Sequence, residues 1–207
     1  MKTGDKLVDW AVEIQAIAQT GLEYATDVFD IERYQKLRDI SAEMMAEKSG
    51  KPLEKVKDLF CNESGYQTPK IATRAAVFKN NKILLVKETT GKWSLPGGWC
   101  DVNCTVKENC IKECKEESGQ DIIVDKLIAV QDHFNHHGSV HPYGICDMYF
   151  LCHSLGGKFI ENSETTEANW FSEEKIDSLP ISENKNATEQ IKMCFEARDK
   201  SWQTLFE

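Results

Sequence analysis

No run of apolar residues in this chain approaches the about 18 needed to cross a bilayer, so a transmembrane protein is not expected. Residues Met1 to Asp9 carry charges every few positions and lack an apolar core, so they do not read as a secretory signal. The expected location is cytoplasmic. Basic residues are in short supply: 25 Lys and Arg stand against 34 Asp and Glu, a formal charge of −9. Nucleic-acid binders draw their affinity mainly from Lys and Arg on phosphates, so stable DNA binding is not expected. A phosphate-bearing ligand would need its positive charge from elsewhere, which points to a metal ion. Zinc knuckles with two residues between cysteines are also missing. Cys100, Cys104, Cys110 and Cys114 follow a different spacing, and the 8 cysteines read as reduced thiols. Internal repeats and low-complexity tracts are absent. What remains is 207 residues, 41% of them apolar, enough for one domain plus a small partner with a real core.

The first third reads as helix. Leu7, Trp10, Ala11, Ile14, Ile17 and Ala18 follow the i, i+3, i+4 spacing of a buried helix face, with Gly21 as the expected stop. A second helix is expected after Asp30 as N-cap, ending at Ser49-Gly50, and a third opens at Pro52. Residues 62–70 are polar, contain Gly and Pro, and read as a linker. The pattern then changes. Ile71–Phe78 and Ile83–Val86 suggest a hairpin around Asn80-Asn81. Trp93–Trp99 is a short strand breaking into a Pro-Gly-Gly loop, and Thr105–Ser118 has helical spacing. Asp121–Gln131 and Gly144–Cys152 read as strands, Glu173–Leu179 as a short helix, and Ala187–Phe206 as a terminal helix. The expected fold class is α+β, with a helical domain over 1–66 and a mixed domain over 67–207.

One segment, Gly91 to Gly119, carries chemistry. On a helix Glu113, Glu116 and Glu117 are i, i+3 and i+4, so their carboxylates share one face. Alone, such a run reads as a solvated acidic face interspersed with lysines. Immediately before it, Leu95-Pro96-Gly97-Gly98 permits a tight turn and leaves backbone amides and carbonyls exposed. Clustered carboxylates with a free carbonyl make an all-oxygen site, suited to Mg²⁺ or Mn²⁺ rather than zinc.

The segment resembles the Nudix box, Gly-x5-Glu-x7-Arg-Glu-U-x-Glu-Glu-x-Gly-U, where U is apolar. Gly98, Glu113, Cys114, Glu116, Glu117 and Gly119 match in register. Cys104 stands at the first glutamate, Lys112 at the arginine and Gln120 at the last apolar position. Lys112 keeps the positive charge without the planar fork of arginine. Together with the helical first third, the pattern is similar to a Nudix subgroup that carries an N-terminal helical domain. The resemblance implies an α/β/α sandwich with a mixed sheet, preceded by helices that help form a homodimer. It implies Mg²⁺-dependent hydrolysis of a diphosphate bridge in a nucleoside diphosphate, first CDP-choline to CMP and phosphocholine, with Mn²⁺ as a substitute. ADP-ribose is the alternative substrate, and a non-catalytic nucleotide sensor is the rival class.

Residue roles follow from the resemblance. Glu113, Glu116 and Glu117 would be metal ligands, with the Gly97 carbonyl completing the site. Glu113 or the loop acid Glu164 would position or deprotonate the attacking water, with Glu167 the other loop candidate. Arg74 would reach substrate, against the plainer reading of an edge-strand surface charge. Asp101 would touch substrate or cap the helix. His133, His136, His137 and His141 could together hold a transition metal. No supporting carboxylate shell is visible for them in sequence, which favours a loop that contacts substrate or is merely exposed, and makes His133 a candidate substrate residue.

Overall fold

In the computed structural model, residues 5–137 and 143–207 are described. His141 lies outside them. The chain divides into two compact units, Met1–Pro69 with Ser139–Gly144, and Lys70–Gly138 with Ile145–Glu207.

The first unit is helical: α1 (Lys6–Tyr24), α2 (Val28–Ser49) and α3 (Leu53–Phe60). The Asp5 side chain caps α1 by accepting from the amides of Leu7 and Val8. The helix runs through Gly21 rather than stopping there. A Cβ at Gly21 would collide with the Tyr34 ring, so this glycine lets α2 approach closely. Asp27, not Asp30, caps α2, and Gly50 ends it in the left-handed region (φ 65°). The core consists of Val8, Ala11, Val12, Ala42, Val56 and Phe60. The expected face of α1 is therefore rotated: Trp10 and Ile17 are 56% and 53% exposed. Gln15 and Gln19 are buried in their place. Gln19 donates to the carbonyl of Gly65 at 3.0 Å, and Gln15 donates to Gln19.

The second unit is a seven-stranded mixed sheet between helices. Its strands are β1 (Lys70–Lys79), β2 (Lys82–Glu88), β3 (Trp93–Ser94), β4 (Gln120–Asp132), β5 (Ile145–Gly157), β6 (Thr165–Phe171) and β7 (Leu205–Phe206). The order is β3-β2-β1-β5-β4-β7, with β6 paired to β2. β1 and β2 form the expected hairpin, with Asn80 and Asn81 both at positive φ, the two-residue turn that matches strand twist. β5 lies parallel to β1 and antiparallel to β4. Alternation sorts the sheet into two faces. Ala75, Val77, Leu84, Phe150 and Cys152 pack against α4 (Val106–Ser118) through Cys110 and Cys114. Ala76, Ile83, Leu85 and Tyr149 face the 3₁₀ turn Glu173–Ser178 and the terminal helix through Ile176, Ile191 and Cys194.

Three details differ from expectation. Thr165–Phe171 forms a strand of its own, because its polar residues occupy a partly exposed pairing with β2. The single-turn helix α5 (His133–His136) interrupts the chain after β4. The terminal helix, α6, covers only Thr188–Glu196. Beyond it Asp199 draws the chain into a turn by accepting from Ser201, and β7 returns to pair with β4. All eight cysteines are free thiols. Among the described residues, no helix is long and apolar enough to cross a membrane.

Candidate active site: a carboxylate face against a glycine turn

Thr105 is the N-cap of α4, closing a capping box with Glu108. Asp101 therefore does not cap this helix. Gly119 ends α4 in the left-handed region (φ 71°). The turn before the helix is strapped to β1: Ala75 N–H donates to the Pro96 carbonyl at 2.8 Å and Thr73 N–H to that of Gly98 at 2.9 Å. Gly97 sits at φ +147°, and a Cβ there would collide with the Thr73 carbonyl oxygen. At Gly98 a Cβ would collide with Oε2 of Glu113. The bare backbone is what makes room for that carboxylate.

The structure brings the box glutamates together on one face and gives each a different partner. Glu117 is buried, and its Oε2 accepts from the Gly97 N–H at 2.8 Å. Its Oε1 lies 3.8 Å from Lys185 Nζ, which also reaches Glu88 at 3.5 Å. Glu113 is held at 3.3 Å and Glu116 at 3.6 Å by Lys112. Lys112 also binds Asp101 at 2.9 Å, so one ammonium gathers three carboxylates. This raises the Lys112 pKa, chiefly through Asp101. Burial pushes the Glu117 carboxyl above the usual range, opposed by Lys185 and the Gly97 amide. Burial likewise raises Glu113, opposed by Lys112 and reinforced by the charges of Glu116 and Glu164.

Arg74 is a buried residue of β1, a central strand, so the surface-charge reading is overturned. Its guanidinium donates to the Gly97 carbonyl at 2.5 Å, while its Nε has no partner. The loop bearing Glu164 is tied to the end of α4: Asn162 donates to the Glu116 carbonyl at 3.0 Å and Thr165 to that of Glu117 at 2.9 Å. Glu167 instead pairs with Lys87 at 3.6 Å on the β2–β6 ladder. His133 is buried, with Nδ1 2.7 Å from Asp147 Oδ2. His136 pairs with Glu207 at 2.8 Å. Sequence reasoning missed Lys185, Glu88 and Asp147. Lys185 sits in a polar segment that is brought alongside the site by long-range contacts, the bridge between Trp93 and Ile181 and the Leu95 N–H donating to the Asn186 side chain at 2.8 Å. Asp147 is concealed within an apolar strand.

The donor set is all oxygen, and the glycine cradle is shaped for a carboxylate, so the residues fit a hard divalent cation. An α/β/α sandwich with such a helix against a strapped glycine turn defines a class of metal-dependent phosphoanhydride hydrolases. The chain belongs to the Nudix family: the NUDIX domain profile matches residues 68–193. A second profile, the UDP-X-like N-terminal oligomerisation domain, matches residues 5–60. The chain is 40% identical, over the full length of both, to YjhB of Bacillus subtilis strain 168, a protein provisionally described as an ADP-ribose pyrophosphatase. Among solved structures it is similar to an ADP-ribose pyrophosphatase of Streptococcus suis 89-1591, with 44% identity and TM-score 0.61 over 68% of this chain and all of that one. It is also similar to a UDP-X diphosphatase, with 33% identity and TM-score 0.62 over the whole of both chains. The chain is a Nudix pyrophosphohydrolase, and residues 5–60 match an oligomerisation module.

Proposed function

We propose that this pyrophosphohydrolase cleaves the diphosphate bridge of a nucleoside diphosphate joined to a second group, releasing a nucleoside monophosphate and a phosphorylated product. The observation that carries the reading is the α4 face, where Glu113 and Glu117 meet the Gly97-Gly98 turn, Glu117 bonded to the Gly97 amide, and Glu116 is gathered beside Glu113 by Lys112. These three carboxylates and the Gly97 carbonyl would hold Mg²⁺, with Mn²⁺ as substitute. Bound there, the ion supplies charge neutralisation for the diphosphate and lowers the pKa of a water. The chain's own residues do the rest. Arg74 fixes the Gly97 carbonyl, and Lys112, braced by Asp101, restrains Glu113 and Glu116. Lys112 thus serves where the box has arginine, and its reach to Asp101 compensates for the glutamate missing at Cys104. Glu113, made more basic by burial, or Glu164 at the rim accepts the proton of the attacking water.

The names of the relatives favour ADP-ribose over CDP-choline as the substrate. The helical unit would join two copies, since Trp10, Ile17 and Tyr24 leave an exposed apolar stripe at seven-residue spacing along α1. A phosphate-release assay with Mg²⁺ on ADP-ribose, CDP-choline, a UDP-sugar and NADH tests the reading. Turnover of a nucleoside diphosphate derivative supports it. Binding without turnover across the panel would favour the sensor.

A further inference from the structure

Away from the carboxylate face, the end of β4, the α5 turn and β5 gather a second set of donors. His133 and His137 are i and i+4 across α5, and the His137 N–H donates to the His133 carbonyl at 3.0 Å. Asp147 enters from β5, opposite Gln131 of β4. The three side chains are at most 4% exposed, and their ligand atoms lie within 4.8 Å of one another.

The hydrogen bonding at His137 is the telling feature. Its Nδ1 lies 2.5 Å from the Glu183 carbonyl oxygen, which can only accept, so Nδ1 carries the hydrogen. In the neutral ring Nε2 then presents a lone pair. That lone pair lies 3.7 Å from Asp147 Oδ2 and has no hydrogen-bond partner, and Asp147 Oδ1 has none either. Two acceptors facing each other in a dry interior repel unless a cation lies between them. A proton on Nε2 is one solution; burial acts against it, and so does the Arg74 guanidinium, while the Glu183 carbonyl and Asp147 favour it. A metal ion is the other. A histidine that donates its remaining N–H to a backbone carbonyl is already oriented as metal ligands are. Ligands about 2.0–2.1 Å from a tetrahedral ion sit about 3.3 Å apart. The spacings around Asp147 Oδ2, 2.7 Å to His133 and 3.7 Å to His137, straddle that value.

We propose that His133, His137 and Asp147 form a second metal site, selective for a borderline ion of the zinc type and separate from the oxygen-only face on α4. Two imidazoles and one carboxylate suit Zn²⁺ or Co²⁺ and are poor ligands for Mg²⁺. The ion would neutralise Asp147, tie α5 to β5 and leave a fourth position for water. His133 would then be a metal ligand rather than a substrate contact.

The test uses the full-length chain stripped with chelator, dialysed against Zn²⁺ in excess Mg²⁺, and assayed for bound zinc. One equivalent per chain is expected, retained in Glu117→Gln and lost in His137→Asn and Asp147→Asn. The Co²⁺-loaded wild-type chain, which needs no mutation, should show the visible absorption of a tetrahedral nitrogen and oxygen site with no thiolate charge-transfer band. Absence of zinc uptake, uptake unchanged in both site variants, loss of the equivalent in Glu117→Gln, or a thiolate band would each overturn the proposal. None of these readouts depends on turnover, so they stand apart from the hydrolase reading.

Discussion

In the sheet unit Ala75, Val77 and Leu84 turn to one face while Ala76, Ile83 and Leu85 turn to the other, all of them buried. In the helical unit Trp10, Ile17 and Tyr24 stand in solvent while Gln15 and Gln19 are buried. The sheet unit buries the apolar residues of its central strands on both faces and buries charged groups with them, Glu117 and Arg74 at the glycine turn and Asp147 beside the histidines. The helical unit keeps large apolar side chains outside, where only another surface can cover them. On the proposed function this difference assigns chemistry to one unit and assembly to the other.

The strongest way to break that division is at Glu117. Glu117→Gln should lower turnover by about 100-fold or more while leaving the melting temperature and oligomeric state of the chain as they were. A steady-state assay paired with sedimentation reads both, and near-normal turnover would remove the chemistry from α4. Gly98→Ala comes next. Its Cβ displaces the Glu113 carboxylate, so turnover should fall by about 10- to 100-fold, more than any change in substrate affinity. A kcat loss absent from this variant would mean the cradle does not hold Glu113 in its working position. In the helical unit, a Trp10→Glu, Ile17→Glu double variant should shift the sedimenting species to the single-chain mass while turnover stays within about twofold. A species of unchanged mass would show that the exposed stripe is not the assembly surface. The smallest effect is expected at Thr105, where Thr105→Ala removes a cap and should cost about 1 kcal/mol in denaturant unfolding with little change in rate.

Much of this was readable from residue order, and the parts that were not share a cause. The hairpin at Asn80-Asn81, the α4 helix and the glycine turn are local features, set by turn chemistry and short-range spacing. The three glutamates were placed correctly on one face because i, i+3 and i+4 need no tertiary information. On α1, Ala11 and Ala18 are buried as the spacing predicts, but the buried side is turned toward Val8, Val12, Gln15 and Gln19 and leaves Trp10 and Ile17 outside. Gly21 was read as a stop because a close helix crossing and a helix end look alike in sequence. Lys185 and Asp147 reach their places through the β3 bridge and the β4–β5 ladder, contacts between residues far apart in the chain. No supporting carboxylate shell is visible in sequence around the histidines for that reason, and Asp147 supplies a carboxylate from the neighbouring strand.

The central claim is that the carboxylates of α4 form a divalent-metal hydrolytic site. A Mg²⁺ titration of nucleotide-diphosphate turnover by the wild-type chain, begun in chelator, tests it most directly. The account predicts no turnover without the ion and a saturable rise as Mg²⁺ is added. Undiminished turnover in chelator would contradict it.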